Sequence, residues 1–532
     1  MSDPADRVLR TAVVAEADSM LRALADWVSV PSVSAEPAHA VDVTRSARWL
    51  CAALRQEGFP IVEEWETDGL PAVYGCRPAA DPAAPTLLVY SHHDVHAAEE
   101  EEWRETAPFT PALREGRLYG RGASDAKGQI LCHLWALRAH LAARTSSGAG
   151  AGVGVGADSD SDPGSGWGSG SGPHPGTAPA VTLKLLIEGE EEIGSVHLGD
   201  LLAEHAEELS ADVAMVSDTM LWSLDDAAVC TAVRGSVNAR LEIRGAHRGL
   251  HSGAASGAAP NALNELCRIL GRLHDDDGRI SLPGFYDAVR EPSPAERAEL
   301  DALPPFDTAA WTAETGTFGT TGEDGRSVRE RVWFRPSAEI SSLAGGDPQG
   351  PVRGLIPAAA SAELLLRLVP DQRADDVAAQ LRAWLDHHIR PCFSHDLQVS
   401  STISDPYTTP SGHPALEALR RSMSRAFGGP ARRMANGGAA PAAQLARSLD
   451  APVLFFRTGL IDDRWHGPDE KVEVEALLRG AHTLAAFYQA LAEQPEARQP
   501  EARQSDTGRP DAGRGEPREA DPGQVGPGAR SR

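Results

Sequence analysis

Four short runs of almost unbroken apolar residues constrain what this chain can fold into. They read TLLVYSH (86–92), VTLKLLIEGE (181–190), DVAMVSD (212–218) and APVLFFRTG (451–459). A strand that is apolar at successive positions has to be covered on both faces, as in a parallel sheet held between helices. Segments with apolar residues at three- and four-residue intervals surround these runs, at 16–28, 45–57, 129–143 and 472–492. The alternation predicts an α/β domain with a mostly parallel sheet.

Between residues 234 and 404 the texture changes. SVNARLEIRG and ASAELLLRLVP mix polar and apolar positions, which suits strands with one solvated face, and 260–273 and 373–387 read as helices. The expectation is a smaller α+β insertion with two strand–helix units on one sheet. It divides the α/β domain into 1–233 and 405–492. Residues 145–179 are rich in Gly, Ser, Asp and Pro, and 493–532 carry the tandem QPEAR-QPEAR. Both have little to bury and are read as disordered.

The formal net charge of the 532 residues is −26, which argues against nucleic acid or an anionic membrane as a partner. The six cysteines, Cys51, Cys76, Cys132, Cys230, Cys267 and Cys392, form no CxxC pair. In a chain of this length they read as reduced thiols of a cytoplasmic protein. No apolar run reaches about 18 residues and the N-terminus lacks an apolar h-region, so neither a membrane span nor a signal peptide is expected.

Chemistry gathers at the ends of the apolar runs. The first leads to His92, His93 and Asp94, the second to Glu188 and Glu190–Glu192, the third to Asp218, and the fourth to Asp462, Asp463 and His466. In open α/β sheets the ligand crevice lies at the carboxyl ends of the strands, so these distant segments can converge there. GRGASDAKG (120–128) adds Asp125 in a Gly-rich turn before a helix. It matches neither phosphate-loop pattern and holds an acid where a phosphate would sit. Each residue alone has an ordinary reading: a structural histidine, a solvated acidic face, a helix cap, a turn residue. Together they form a nitrogen and oxygen ligand set suited to zinc, manganese or cobalt, with more acids than one metal needs. Paired metals about 3.5–4 Å apart can share a bridging carboxylate.

SHHDVHAAEEEEW (91–103), LYGRGASDAKG (118–128), LIEGEEEIGS (186–195), VSD (216–218), GLHSG (249–253), IPAAASAELLLRLVP (356–370) and HGPDE (466–470) occur in that order. With these motifs the sequence resembles the di-zinc exopeptidases and amidases. That family includes aminoacylase, succinyl-diaminopimelate desuccinylase, acetylornithine deacetylase and glutamate carboxypeptidase. The nearest subgroup is the cytosolic carnosinase-type dipeptidases. The resemblance implies a catalytic domain in two parts and an inserted lid and dimerisation domain over 234–404. It implies that His92, Asp125 and Asp218 hold one metal, with Asp125 bridging to a second held by Glu192 and His466. The metals would be zinc, with manganese or cobalt as alternatives. Glu191 would be the general base, Asp94 would orient His92, and His251 would reach the partner's site in a homodimer.

The implied reaction is hydrolysis of the amide bond of dipeptides or similar small peptides. Two alternatives stay open: an N-acyl amino acid deacylase or carboxypeptidase of the same family, and a silent member acting as a binding scaffold. On the substrate side, Arg367 and His413 match family positions, and the family's REGGSIP segment reads Ala435-Asn436-Gly437-Gly438-Ala439-Ala440-Pro441 here. Asn436 and Gly438 fall at substrate-side positions. An acid is thus replaced by Asn436 and a hydroxyl by Ala439, while Gly354 stands where the family has a threonine. These departures predict weaker binding of a free dipeptide with a charged N-terminus.

Overall fold

A computed structural model describes residues 4–146, 178–346 and 354–494. Its central sheet has six strands, in spatial order Ile61–Trp65, Ala72–Arg77, Thr182–Glu188, Thr86–His92, Val213–Val216 and Val453–Phe455. The last four run parallel, and the first two join as antiparallel neighbours at one edge. Alternate residues of the apolar runs enter two different cores. Leu87, Val89, Leu183 and Leu185 pack with the helices Pro4–Ala15, Ala17–Val28, Lys127–Ser146 and Val474–Ala492. Leu88, Tyr90, Leu186 and Val216 pack on the other face with Leu198–Glu204 and Ala442–Leu449. This two-sided burial is why the runs show no polar alternation, and each buried Leu or Val contributes about 1.5–3 kcal/mol.

The helix Lys127–Ser146 begins two residues before the periodicity suggested, because the Lys127 amide already donates to the Gly122 carbonyl at 3.1 Å. Its Lys127 ammonium is buried and donates to the carbonyls of Trp27 and Val30. The helix also extends through Ser146, so the first two residues of the expected 145–179 disordered stretch are helical. The rest of that stretch up to residue 177, and the tail after residue 494, lie outside the described residues.

Residue 234 separates two sheets. Ala228–Val233 pairs with Tyr407–Thr408 and Arg432–Asn436 in a three-stranded sheet that the sequence patterns did not reveal. Gly235–Arg244 belongs instead to a four-stranded antiparallel sheet, in the order Ser337–Gly345, Ala359–Leu368, Gly235–Arg244, Ser394–Val399. Helices Ala262–Leu270 and Ala374–His388 pack on this second sheet around Leu241, Ile243, Leu364 and Leu366. The first helix is shorter than the 260–273 expected, because Asn261 caps it by accepting the Asn264 amide at 3.1 Å. Among the described residues no helix is long and apolar enough to cross a membrane.

Candidate metal centre and active site

His92 is the last residue of its strand and is paired in register with Glu188 of the neighbouring parallel strand. The His93 amide still donates to the Glu188 carbonyl at 2.8 Å, and both His92 and Asp94 are buried at this strand end. Asp94 Oδ1 lies 3.3 Å from His92 Nδ1, which fixes the ring. The same carboxylate does a second job that the sequence did not suggest. It accepts the backbone amides of Glu191 and Glu192 at 3.3 and 3.0 Å, tying the acidic turn after Thr182–Glu188 to the histidine strand.

The far side of the His92 ring is the clearest sign of a metal. Its Nε2 is buried and has no hydrogen-bond partner among the described residues. It faces Asp125 Oδ1 at 3.4 Å and Asp218 Oδ1 at 3.8 Å. Three donors at such separations fit the corners of a coordination sphere with bonds of about 2.0–2.2 Å. A second group forms around the other oxygen of Asp125. His466 Nε2 lies 3.3 Å from Asp125 Oδ2 and 3.1 Å from Glu192 Oε2. Asp125 thus belongs to both groups, and Glu191 comes within similar reach of His92 and Glu192. The nitrogen and oxygen donor set fits two divalent cations.

Supporting residues hold these side chains in place. Glu470 accepts the amides of Gly122, Ser124 and Asp125 and pairs with buried Arg121 at 2.6 Å, so one carboxylate shapes the whole Asp125 turn. The peptide between Asp125 and Ala126 is cis. His466 sits at φ 60°, a left-handed conformation uncommon for histidine, and its ring stacks on His96 at 4.7 Å. The His96 amide in turn donates to Glu192 at 3.1 Å. Arg457 was also missed in the sequence. It was read as part of a strand over 451–459, yet the strand ends at Phe455 and Arg457 turns into the site against Asp125 and Asp218.

Electrostatics match the crowding. Burial, then the nearby Asp218 carboxylate, push Glu191 well above the usual carboxylate range. Burial also opposes charge on Asp125, but Arg457, His466 and His92 outweigh it and hold Asp125 well below that range. Asp125 and Glu192 push His466 up to about 10.

Beside Glu191 opens a cavity of about 640 Å³ that includes Arg367, Asn238, Thr402, Ala439 and Gln444 in its wall. Arg367 has no ion-pair partner among the described residues, and burial alone lowers its pKa. The other substrate-side positions are placed differently. His413 caps the helix Pro414–Phe427, its ring nitrogen accepting the Ala415 amide, and is not part of this wall. Asn436 Oδ1 accepts the Gly438 amide at 2.9 Å within its own loop, and the Gly438 carbonyl accepts from the Arg234 amide. Ala439 is the member of that segment that reaches the cavity together with Ala440 and Pro441. His251 is exposed on the short strand Leu250–His251 and joins none of these groups.

Comparison with known proteins finds relatives over most of the chain. Residues 88–149 match the model for peptidase family M20/M25/M40, and residues 231–391 match a peptidase dimerisation domain. The chain is 25% identical over 504 residues to a Beta-Ala-His dipeptidase of Rattus norvegicus, covering 90% of this chain and 93% of that protein. It is 26% identical to a cysteinylglycine-S-conjugate dipeptidase of Corynebacterium striatum, covering 86% and 92%. The fold superposes on the solved structure of the dipeptidase Dug1p of Saccharomyces cerevisiae with a TM-score of 0.75 at 22% identity, covering 93% and 99%. Its peptidase segment over 88–149 and its dimerisation segment over 231–391 thus make this chain similar to peptidase family M20/M25/M40.

Proposed function

We propose that this protein is a metal-dependent dipeptidase acting on small peptides with a free carboxylate. One observation carries the reading: buried His92 Nε2, with no hydrogen-bond partner among the described residues, faces Asp125 and Asp218 beside a cavity lined by Glu191 and by Arg367, which has no ion-pair partner among those residues. His92, Asp125 and Asp218 would hold one divalent cation, and Asp125, Glu192 and His466 the other, with zinc the first choice for this donor set. Bound there, the cations would supply Lewis acidity to the scissile carbonyl and lower the pKa of a water.

The chain's own groups do the rest. Glu191 accepts the water proton and later gives it to the leaving amine, a role its place beside His92 and Glu192 and at the cavity wall allows. Asp94 keeps the His92 ring and the Glu191 amide in fixed relation. Arg367 supplies a cation for the substrate's carboxylate. The sheet around Gly235–Arg244 and Ala359–Leu368 supports a homodimer, in which exposed His251 would reach the partner's site and donate to the developing oxyanion. All six cysteines are unpaired, which suits a reducing compartment.

A deacylase acting on N-acyl amino acids is the second reading. Ala439 favours it, because a methyl group in the cavity wall gives a charged amine no partner. The test is amine release from free dipeptides and their N-acetyl forms, with protein stripped by chelator and reloaded with zinc or manganese. Metal-restored cleavage of free dipeptides supports the first reading. Cleavage of the blocked compounds alone replaces it with the second, and no turnover in any case removes both.

A further inference from the structure

Arg457 is buried beneath the candidate metal centre, at 6% exposure, and the proposed reaction gives it no task. Its guanidinium spans two carboxylates. Nη2 lies 2.8 Å from Asp125 Oδ1, and Nη1 lies 3.0 Å from Asp218 Oδ1. These are the two oxygens that face His92 Nε2. The other group uses Asp125 Oδ2, which faces His466 Nε2 at 3.3 Å.

The guanidinium has little freedom to leave. The Trp465 ring lies over it with 4.4 Å between the guanidinium carbon and the ring centre, and the Ser124 carbonyl accepts from Nη2 at 3.4 Å. A Cβ on Gly459 would come within 2.9 Å of Nε, so the backbone closes in from behind. An arginine is charged at every accessible pH. A fixed positive charge therefore sits on both carboxylate oxygens that face His92 Nε2, whereas His466 Nε2 of the other group meets Asp125 Oδ2 and Glu192 Oε2.

Two effects follow from that geometry. The fork aligns the two carboxylates before any metal arrives, because it bonds one oxygen of each. It also repels a divalent cation a few ångströms away and draws on the same lone pairs, so affinity at that position falls. We propose that Arg457 makes the two cation sites unequal, keeping the His92–Asp125–Asp218 site preformed but weak and exchangeable, while the Asp125–Glu192–His466 site binds tightly. This rests on the metal reading above. It adds a positioning residue through which activity would follow free metal concentration.

The experiment is zinc titration of the metal-free, full-length protein against a chromophoric chelator, repeated with Arg457→Gln, Arg457→Lys and His92→Ala. The wild type should take up two zinc ions with dissociation constants at least roughly tenfold apart. In Arg457→Gln the weaker constant should tighten roughly tenfold or more, while the tighter one stays within about threefold. Arg457→Lys keeps the charge and should leave the weak site weak. His92→Ala should remove the weak step only.

Equal constants in the wild type would overturn the proposal without any variant, which covers the case in which Arg457→Gln does not fold. An unchanged or looser second constant in Arg457→Gln overturns it as well, with the metal reading intact. Failure of the wild type to bind any zinc overturns both.

Discussion

Glu470 Oε1 accepts the backbone amide of Asp125 at 3.0 Å, although the two residues are 345 positions apart in the chain. The same carboxylate holds Ser124, Gly122 and buried Arg121. Glu470→Ala would leave a buried guanidinium and three amides without their acceptor. Breaking one side of a buried pair costs about 3–5 kcal/mol, so the melting temperature should drop by several degrees. The bound metal per chain should fall with it. Unchanged metal content in a folded Glu470→Ala protein would show that the Asp125 turn holds its shape alone.

Glu191→Gln should lower kcat by about 10²–10⁴ while both metals stay bound, since removal of a general base acts on the chemical step. Exposed His251 gives a companion test of the dimer. When Glu191→Gln and His251→Ala proteins are unfolded, mixed and refolded, each mixed dimer should contain one intact site. Activity should return to roughly a quarter of wild type for random pairing in a two-fold dimer. No gain on mixing would place His251 outside the partner's site.

Metal uptake should depend on pH in a defined direction. Asp125 and Glu192 raise His466 from its ordinary 6.5 to about 10, so at neutral pH the metal-free ring carries a proton that a cation must displace. Affinity should rise with pH, and calorimetry in buffers of different ionisation enthalpy should report proton release. The stability effect has the opposite sign in the metal-free protein. A raised imidazole contributes fully below 6.5 and loses its contribution as pH climbs through about 10. Thermal melts of stripped protein should therefore soften over that window. Melts of loaded protein, with the rings deprotonated and ligated, should change less.

At the substrate end, Ala439 and Asn436 should separate. Ala439 lies in the cavity wall, so Ala439→Ser should improve kcat/KM for free dipeptides by about 2–10-fold through one added hydrogen bond. Asn436 Oδ1 is engaged by the Gly438 amide, so Asn436→Ala should lower stability by about 1 kcal/mol and leave KM near its wild-type value. Arg367→Ala should raise KM for peptides with a free carboxylate by roughly 10–100-fold, the range of a charged hydrogen bond. Equal loss with carboxamide peptides would remove that role from Arg367.

The sequence was most legible where one physical rule acted alone. Two-sided burial wrote the runs at 86–92 and 181–190 plainly, and their ends placed His92 and the Glu190–Glu192 turn at the crevice. Residues whose environment comes from distant segments were harder to read. Arg457 looked like the tail of a strand because its partners, Asp125 and Asp218, lie more than 200 residues away. His413 shows a role that spacing did not suggest, since its ring nitrogen accepts the Ala415 amide at the start of the helix Pro414–Phe427. The three-stranded sheet of Ala228–Val233, Tyr407–Thr408 and Arg432–Asn436 escaped notice because short strands paired across long separations leave little local pattern. Glu470 offered a signal, HGPDE, but nothing local in it tells a metal neighbour from a loop anchor.

The two edges of the central sheet carry different freedoms. At the amino edge, where Thr182–Glu188 begins, Arg144 Nε donates to the Ala178 carbonyl at 3.1 Å and the Ala180 amide donates to His140 Nε2 at 3.1 Å. The described residues on either side of 147–177 are thus tied to each other, and closing a longer or shorter connection between such fixed points changes the chain entropy only slowly with length. The opposite edge holds His92 and the Asp94 anchor of Glu191 and Glu192, where one inserted residue would break the register of His92 against Glu188. Length changes or a fused domain between residues 146 and 178 should therefore be tolerated, while one residue inserted at His92 should abolish metal uptake.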